Sequence, residues 1–290
     1  GLEAQDRWDE QLRKLESSLM EGLHGSPVDE DPHLPGLESV SAPPQIGEQR
    51  TFKVLNKEKR FEKVKARVRH VSQRAVVYMD ENVPPGGFSD VDLADLAGEF
   101  DQVIHPVVTE TFGDESDIDD NERIIILFTA AVNRLTGTDS DGYVGGFFFG
   151  LDLLEGRAGS NGGEIFYAIV PDPDGVEGPS IGRSLAFKPI PSILAHEFQH
   201  MVHFNQRMLL QGAETTEALW LSEALAQMAE DLVGQAFQEA YQPLKAAQYR
   251  SGNWQRARRF LEDPEGISVL ASLPPGTLAE RGAGGLLLKQ

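Results

Sequence analysis

Three residues in the stretch 195–206, AHEFQHMVHFNQ, have the types and spacing to do chemistry: His196, Glu197 and His200, in the pattern H-E-x-x-H. On a helix each residue turns about 100°, so His196 and His200 fall one turn apart on one face and can offer two imidazole nitrogens to a single ion. The chain contains no Cys, so any metal must be held by His and carboxylate, which suits a hydrolytic zinc site. Glu197, one residue further round, is badly placed to ligate the same ion but well placed to hold a water beside it and take its proton. His203 shares the face of His196, and the stronger expectation for it is a satisfied, partly buried histidine, the weaker one a group that lines the cleft or stabilises an oxyanion.

A metal site needs a rigid carrier. Pro189 and Pro191 predict the start of a helix that runs to about Arg207. Ile193, Leu194, Phe198, Met201 and Val202 make it apolar nearly all round, so it is expected to be buried. Catalytic zinc takes three protein ligands and leaves one position open, so a third ligand is required. Glu223 is the candidate, within a helix predicted over Glu214–Asp231. The stripe of Leu221, Leu225, Met228 and Leu232 lies opposite it, which by itself would leave Glu223, Gln227 and Glu230 on a wet face. Leu219, Trp220 and Ala226 frame Glu223 with apolar groups and argue that it faces inward. The pattern H-E-x-x-H-x-x-G-x-x-H is excluded, because position 206 is Gln.

Upstream, FKVLN, VKARVRHV and AVVYMD within Thr51–Asp80 read as strands, with Lys63, Lys65, Arg67 and Arg69 alternating onto a solvated face. Asp90–Gly113 reads as a helix capped by Ser89 or Asp90, and Arg123–Thr129 as a buried central strand. Between them Asp117, Asp119 and Asn121 follow the D-x-D-x-N opening of a Ca2+ loop, but Glu122 and Phe128 stand where that loop needs Gly and a bidentate Glu. An acidic turn is the stronger reading, with calcium the weaker. GYVGGFFFG and EIFYAIV read as strands about a flexible Gly-rich turn, AGSNGG. An edge of that kind could take up a substrate backbone as an extra strand, with the glycines allowing close approach.

Gly1–Leu23 carries Leu2, Trp8, Leu12, Leu15 and Leu19 at helical spacing, an amphipathic helix that must pack on something. Residues 25–48, rich in Pro, Ser, Gly and acid, read as a linker, and His24 and His33 as solvated. Downstream, Tyr241 and Tyr249 are the phenols available to stabilise an oxyanion, and neither is assigned that role. A net charge of −20, from 46 acidic and 26 basic residues, argues against nucleic acid or an anionic membrane as partner. The longest apolar run, Ile124–Val132, is too short to span a bilayer, and the opening Gly1 predicts a trimmed chain. Nothing in the sequence speaks to oligomeric state.

HEFQHMVHFNQ followed by WLSEALAQMAED resembles the hyicolysin family of bacterial zinc metallopeptidases, a gluzincin group with a Glu third ligand. A weaker similarity runs through VVYMD, DIDDNERIIILFT and the tail from RFLEDP to RGAGGLLLK, leaving roughly the first 45 residues uncovered. The resemblance implies His196, His200 and Glu223 as Zn2+ ligands and Glu197 as general base. It implies an α+β fold of thermolysin-like layout, in which a mixed sheet precedes the metal helix and a mainly helical part follows. The divisions expected are 1–48 for the N-terminal helix and linker, 49–210 for the β-rich part with the metal helix, and 211–290 for the helical part, with truncation at Gln290. It further implies a secreted or cell-surface endopeptidase with a protein or peptide substrate. The family segment W-L-N-E-G-L-S departs here to Ser222, Ala224 and Ala226, and Gln227 is expected to supply the hydrogen bond that the missing Asn would make. A zinc aminopeptidase or other zinc hydrolase would use the same ligands, the former with a carboxylate for the substrate amine. A non-catalytic binding module is disfavoured by the intact Glu197.

Overall fold

Alternation in the strand Phe61–Val71 (β2) sets the two faces of the sheet: Val64, Ala66 and Val68 are buried while Lys63, Lys65, Arg67 and Arg69 face solvent. The computed structural model describes residues 2–23, 44–140, 142–268 and 277–288, so most of the expected linker, with His24 and His33, lies outside the described residues. Gln49–Leu55 (β1) and Ala75–Asp80 (β3) flank β2 antiparallel, with a bulge between Val68 and His70. Ile124–Phe128 (β4) pairs parallel with β3, and its unbroken apolar run is buried on both faces, as a central parallel strand requires. Gly146–Phe148 (β5) and Ile165–Ala168 (β6) complete a mixed six-stranded sheet of order β1-β2-β3-β4-β6-β5, which leaves β5 at one edge.

The helix expected over Asp90–Gly113 is present but broken. Asp90–Glu99 (α2) begins at a capping box, in which Ser89 Oγ accepts the Asp92 N–H and the Asp92 carboxylate accepts the Ser89 N–H at 2.7 Å. Pro106 has no N–H to donate, and just before it the ladder slips into a π-type turn at Phe100–Ile104 and resumes as His105–Phe112 (α3). A short helix, Ala130–Asn133 (α4), follows β4.

The second half is helical: Arg183–Phe187 (α5), Ile190–Phe204 (α6), Leu219–Glu239 (α7), Pro243–Glu262 (α8) and Leu278–Leu287 (α9). The fold is therefore α+β, a mixed sheet followed by a helical part, consistent with a thermolysin-like layout. The helix carrying H-E-x-x-H, α6, packs along the β5 edge. Two glycines allow this: a Cβ at Gly145 would lie 2.4 Å from Ile193 Cδ1, and one at Gly150 would lie 2.4 Å from a Phe204 ring carbon. These glycines, on either side of β5, thus serve the close approach of α6. The AGSNGG turn is tied down, since the Asn161 side chain accepts from Lys53 N and donates to Lys53 O.

The N-terminal helix forms at Leu2–Leu23 (α1). What it packs on is the β5 edge, with the Trp8 ring edge-on to Phe147 at 5.5 Å and Leu12 buried. No helix among the described residues is long and apolar enough to cross a membrane.

Candidate metal centre

The i,i+4 spacing on α6 brings the His196 and His200 rings to 4.9 Å, inclined at 75°. Glu223 comes from α7, with Oε2 3.4 Å from His196 Nε2 and Oε1 3.7 Å from His200 Nε2. One ligand atom from each of the three residues lies within 4.8 Å of the others, and all three residues are buried. Among the described residues, His196 Nε2, His200 Nε2 and Glu223 Oε1 find no hydrogen-bond partner. Buried polar atoms are almost always satisfied, so three orphans converging on one point fit a metal ion held by two imidazoles and a carboxylate.

The other side of each ligand is held. His196 Nδ1 meets Glu230 Oε1 at 2.7 Å, and Ser192 Oγ donates to the second Glu230 oxygen. His200 Nδ1 lies 3.2 Å from Ser222 Oγ, and Arg281 on α9 donates to Glu223 Oε2 at 2.9 Å. Such contacts fix the tautomer and ring angle that a metal would need. The hydrogen bond expected from Gln227 is not seen, since its Nε2 has no partner among the described residues, while Ser222 lies against His200. Glu230→Ala is expected to lower metal affinity about tenfold to a hundredfold with the three ligand atoms intact. Competition against a chromogenic chelator measures it, and an unchanged affinity would remove Glu230 from this role.

Electrostatics set the ligands apart. Burial alone would raise the Glu223 carboxyl, but Arg281 and the two histidines hold it well below its usual range. Burial, aided by Arg13, pushes the His200 imidazole well below its ordinary value, leaving it neutral and able to ligate. Burial raises the Glu197 carboxyl to about 7, against the opposing pull of His196 and Arg13. Its Oε2 accepts the backbone N–H of Phe148 on β5 at 3.0 Å, while Oε1 has no partner among the described residues. The base candidate therefore sits between the metal helix and the sheet edge with one oxygen free.

Several groups here escape the sequence reading. Glu230, which the apolar stripe by itself would leave on a wet face, is buried. Arg281 and Arg256 are both buried, and both donate to Asp6 Oδ1 of α1, at 3.2 and 2.8 Å. Asp9 of α1 brings a carboxylate oxygen within 4.8 Å of ligand atoms of His196 and Glu197. Arg13 of α1 lies 3.5 Å from Glu197 Oε2. The amphipathic pattern of α1 is visible in the sequence, but nothing there says that its polar side chains belong in this cleft.

The remaining candidates lie elsewhere. His203 is half-buried as expected but not satisfied: its Nε2 has no hydrogen-bond partner among the described residues, with Glu217 3.9 Å away, and it lines a cavity beside His200. Tyr249 donates its hydroxyl to Glu99 at 2.6 Å, and Tyr241 is 93% exposed, so neither phenol joins the ligands. In the acidic loop Asn121 turns away: its Oδ1 accepts the Arg123 N–H at 2.6 Å, and Asp117 Oδ1 accepts the N–H groups of Asn121 and Glu122. Glu164 joins Asp117 and Asp119 in its place, with Arg50 3.5 Å from Asp119. The D-x-D-x-N segment is thus a self-bonded turn, and the calcium reading finds no support.

No family model matches the chain. Over 199 residues it is 30% identical to the neutral metalloprotease ShpI of Staphylococcus hyicus, an alignment covering 67% of this chain and 42% of that protein. The chain thus spans less than half the length of the curated relative it matches.

Proposed function

We propose that this chain is a zinc-dependent endopeptidase of the hyicolysin type, with His196, His200 and Glu223 as ligands and Glu197 as general base. The observation that carries this reading is the convergence of three buried, unpartnered ligand atoms beside a carboxylate that has one oxygen free. The similarity to a neutral metalloprotease supports the same chemistry. Zinc bound there supplies Lewis acidity, which polarises a substrate carbonyl and makes a water acidic near neutral pH. Glu197 would take the proton of the attacking water at its free Oε1 and pass it to the amine nitrogen that leaves. The Phe148 N–H anchors Oε2 and fixes the direction of the free oxygen. Glu230 and Ser222 hold the two imidazoles in register, and Arg281 keeps Glu223 ionised.

The edge strand β5 runs beside Glu197, so an extended peptide added to it would pass the base. We read 49–210 and 211–290 as two parts of one catalytic unit, preceded by 1–48, and the site of action as outside the cell, on unfolded or extended protein segments.

Stripping with a chelator and reloading test the reading. Zinc should rebind to a single site, raise the melting temperature by mass action, and be required for new amino termini to appear in an unfolded protein substrate. A stripped chain whose melting temperature ignores zinc would sink the proposal.

A further inference from the structure

Backbone groups of the edge strand β5 and of the residues flanking it are taken by α1, apart from the Phe148 N–H that Glu197 holds. Gln5 donates to Gly146 O at 2.7 Å, and Arg13 donates to Phe148 O at 2.6 Å. Gln5 Oε1 accepts the Gly145 N–H at 2.7 Å, and Glu16 accepts the Gly150 N–H at 2.6 Å. Free donors and acceptors on a sheet edge are what an extended peptide binds. The interior of a helix has no backbone groups to spare, so α1 satisfies this edge with side chains instead. Resting on the peptidase reading above, we propose that α1 is an inhibitor built into the chain, seated where substrate adds to β5, and that the cleft works only when α1 leaves it.

Two cavities, each of about 340 Å3, flank the helix. Gln5 and Asp9 line one together with His196 and Glu197; Arg13, Glu16 and Ser17 line the other together with His200 and His203. The helix thus divides a groove that passes both histidines.

The buried face of α1 mixes apolar and charged groups. Trp8, Leu12 and Met20 join the core, yet Asp6, Asp9 and Glu16 are buried beside them. Buried charges cost several kcal/mol unless fully paired. Asp9 takes a hydrogen bond from Gln5 at 2.7 Å and has Arg281 at 4.0 Å, while Glu197 and Glu223 face it as like charges. Arg13 lies across the base instead: its guanidinium is 3.5 Å from Glu197 Oε2 while it donates to Phe148 O and to Glu16. An occupant of this kind covers the substrate edge and lies across the base. As part of the same chain it competes at high effective concentration.

A reversible lock tests this in the full chain. Ser17 Oγ and Thr216 Oγ1 are 3.2 Å apart, and the chain has no Cys, so Ser17→Cys with Thr216→Cys gives a unique pair. Zinc-loaded protein should cleave a quenched peptide at least about tenfold faster reduced than oxidised, the worth of one charged hydrogen bond or more. Arg13→Ala should raise the reduced rate about tenfold again, while amide exchange at Leu2–Leu23 and Gly146–Phe148 quickens with or without zinc. Equal, measurable rates in the oxidised and reduced forms would overturn the inhibitor and leave the peptidase standing. Slow exchange in Arg13→Ala with no gain in rate would also overturn it, by making α1 a fixed part of the fold. Fast exchange with zinc bound and no cleavage would overturn the peptidase reading, and this inference with it.

Discussion

Glu197→Gln is expected to keep its zinc and lose peptide hydrolysis by about a hundredfold to ten-thousandfold, the usual worth of a general base. Glu197 stands outside the group formed by His196, His200 and Glu223, so the ligands are untouched. The Gln carboxamide oxygen can still accept the Phe148 N–H that Glu197 Oε2 accepts at 3.0 Å, so the side chain keeps its place. What is lost is the ability to take a proton at the free position. Burial opposes the charge on Glu197, so a neutral replacement also relieves a desolvation cost and should not destabilise the fold. Zinc content and cleavage rate are to be measured on the same preparation, in the parent and in the Arg13→Ala background, where α1 no longer holds the base. A variant that carries zinc and cleaves within about threefold of its parent, far inside the general-base range, removes Glu197 from the mechanism.

The parts of this molecule that could be read from the sequence are those set by local periodicity. His196 and His200 share a face because the helix turns a fixed angle per residue, and no partner element is needed to know it. Alternation in Phe61–Val71 declared its wet face for the same reason, and the apolar run Ile124–Phe128 its place inside the sheet. The capping box at Ser89 and Asp92 spans three residues and sits at the expected helix start. Even the π-type turn has a local cause in Pro106, though the pattern read alone ran straight through it.

Illegible were the features decided by partners far along the chain. Glu230 looks solvated on its own helix, and only the arrival of His196 from α6 makes a buried carboxylate tolerable there. Tyr249 carries a hydroxyl fit for oxyanion work, but a carboxylate on α2, Glu99, claims it. Asn121 matched a ligand position by spacing, while its amide oxygen closes a local turn that competes with any ion. The helix α1 is the extreme case. Trp8 and Leu12 predict that it packs, but Gln5, Asp6, Arg13 and Glu16 find partners from Gly145 to Arg281, and no periodicity reports such distant pairings.

Glu223→Gln is expected to cost more than about a hundredfold in zinc affinity, beyond what loss of a supporting contact such as Glu230 costs. The substitution keeps the volume of the side chain and one oxygen facing the two imidazoles. It removes the negative charge that balances the ion in a site where all three ligands are buried, and charge balance counts for most where water is excluded. It also changes the fate of Arg281. Its guanidinium, donating to Glu223 at 2.9 Å, keeps Asp6 at 3.2 Å and Asp9 at 4.0 Å as its remaining carboxylates, so the metal-free variant should fold but melt lower. The two effects separate in experiment: affinity is read by chelator competition at a temperature well below either transition, and the melting temperature is read on stripped protein. Because Asp6 belongs to α1, losing Glu223 should also leave Arg281 holding α1 alone and tighten the helix in its seat, so its amides should exchange no faster than in the parent. If zinc is held within about tenfold of the parent affinity, the loss is only that of a supporting contact, and the third ligand is another carboxylate. Asp9 and Glu197, the carboxylates grouped with His196 in this cleft, would then be the ones to replace next.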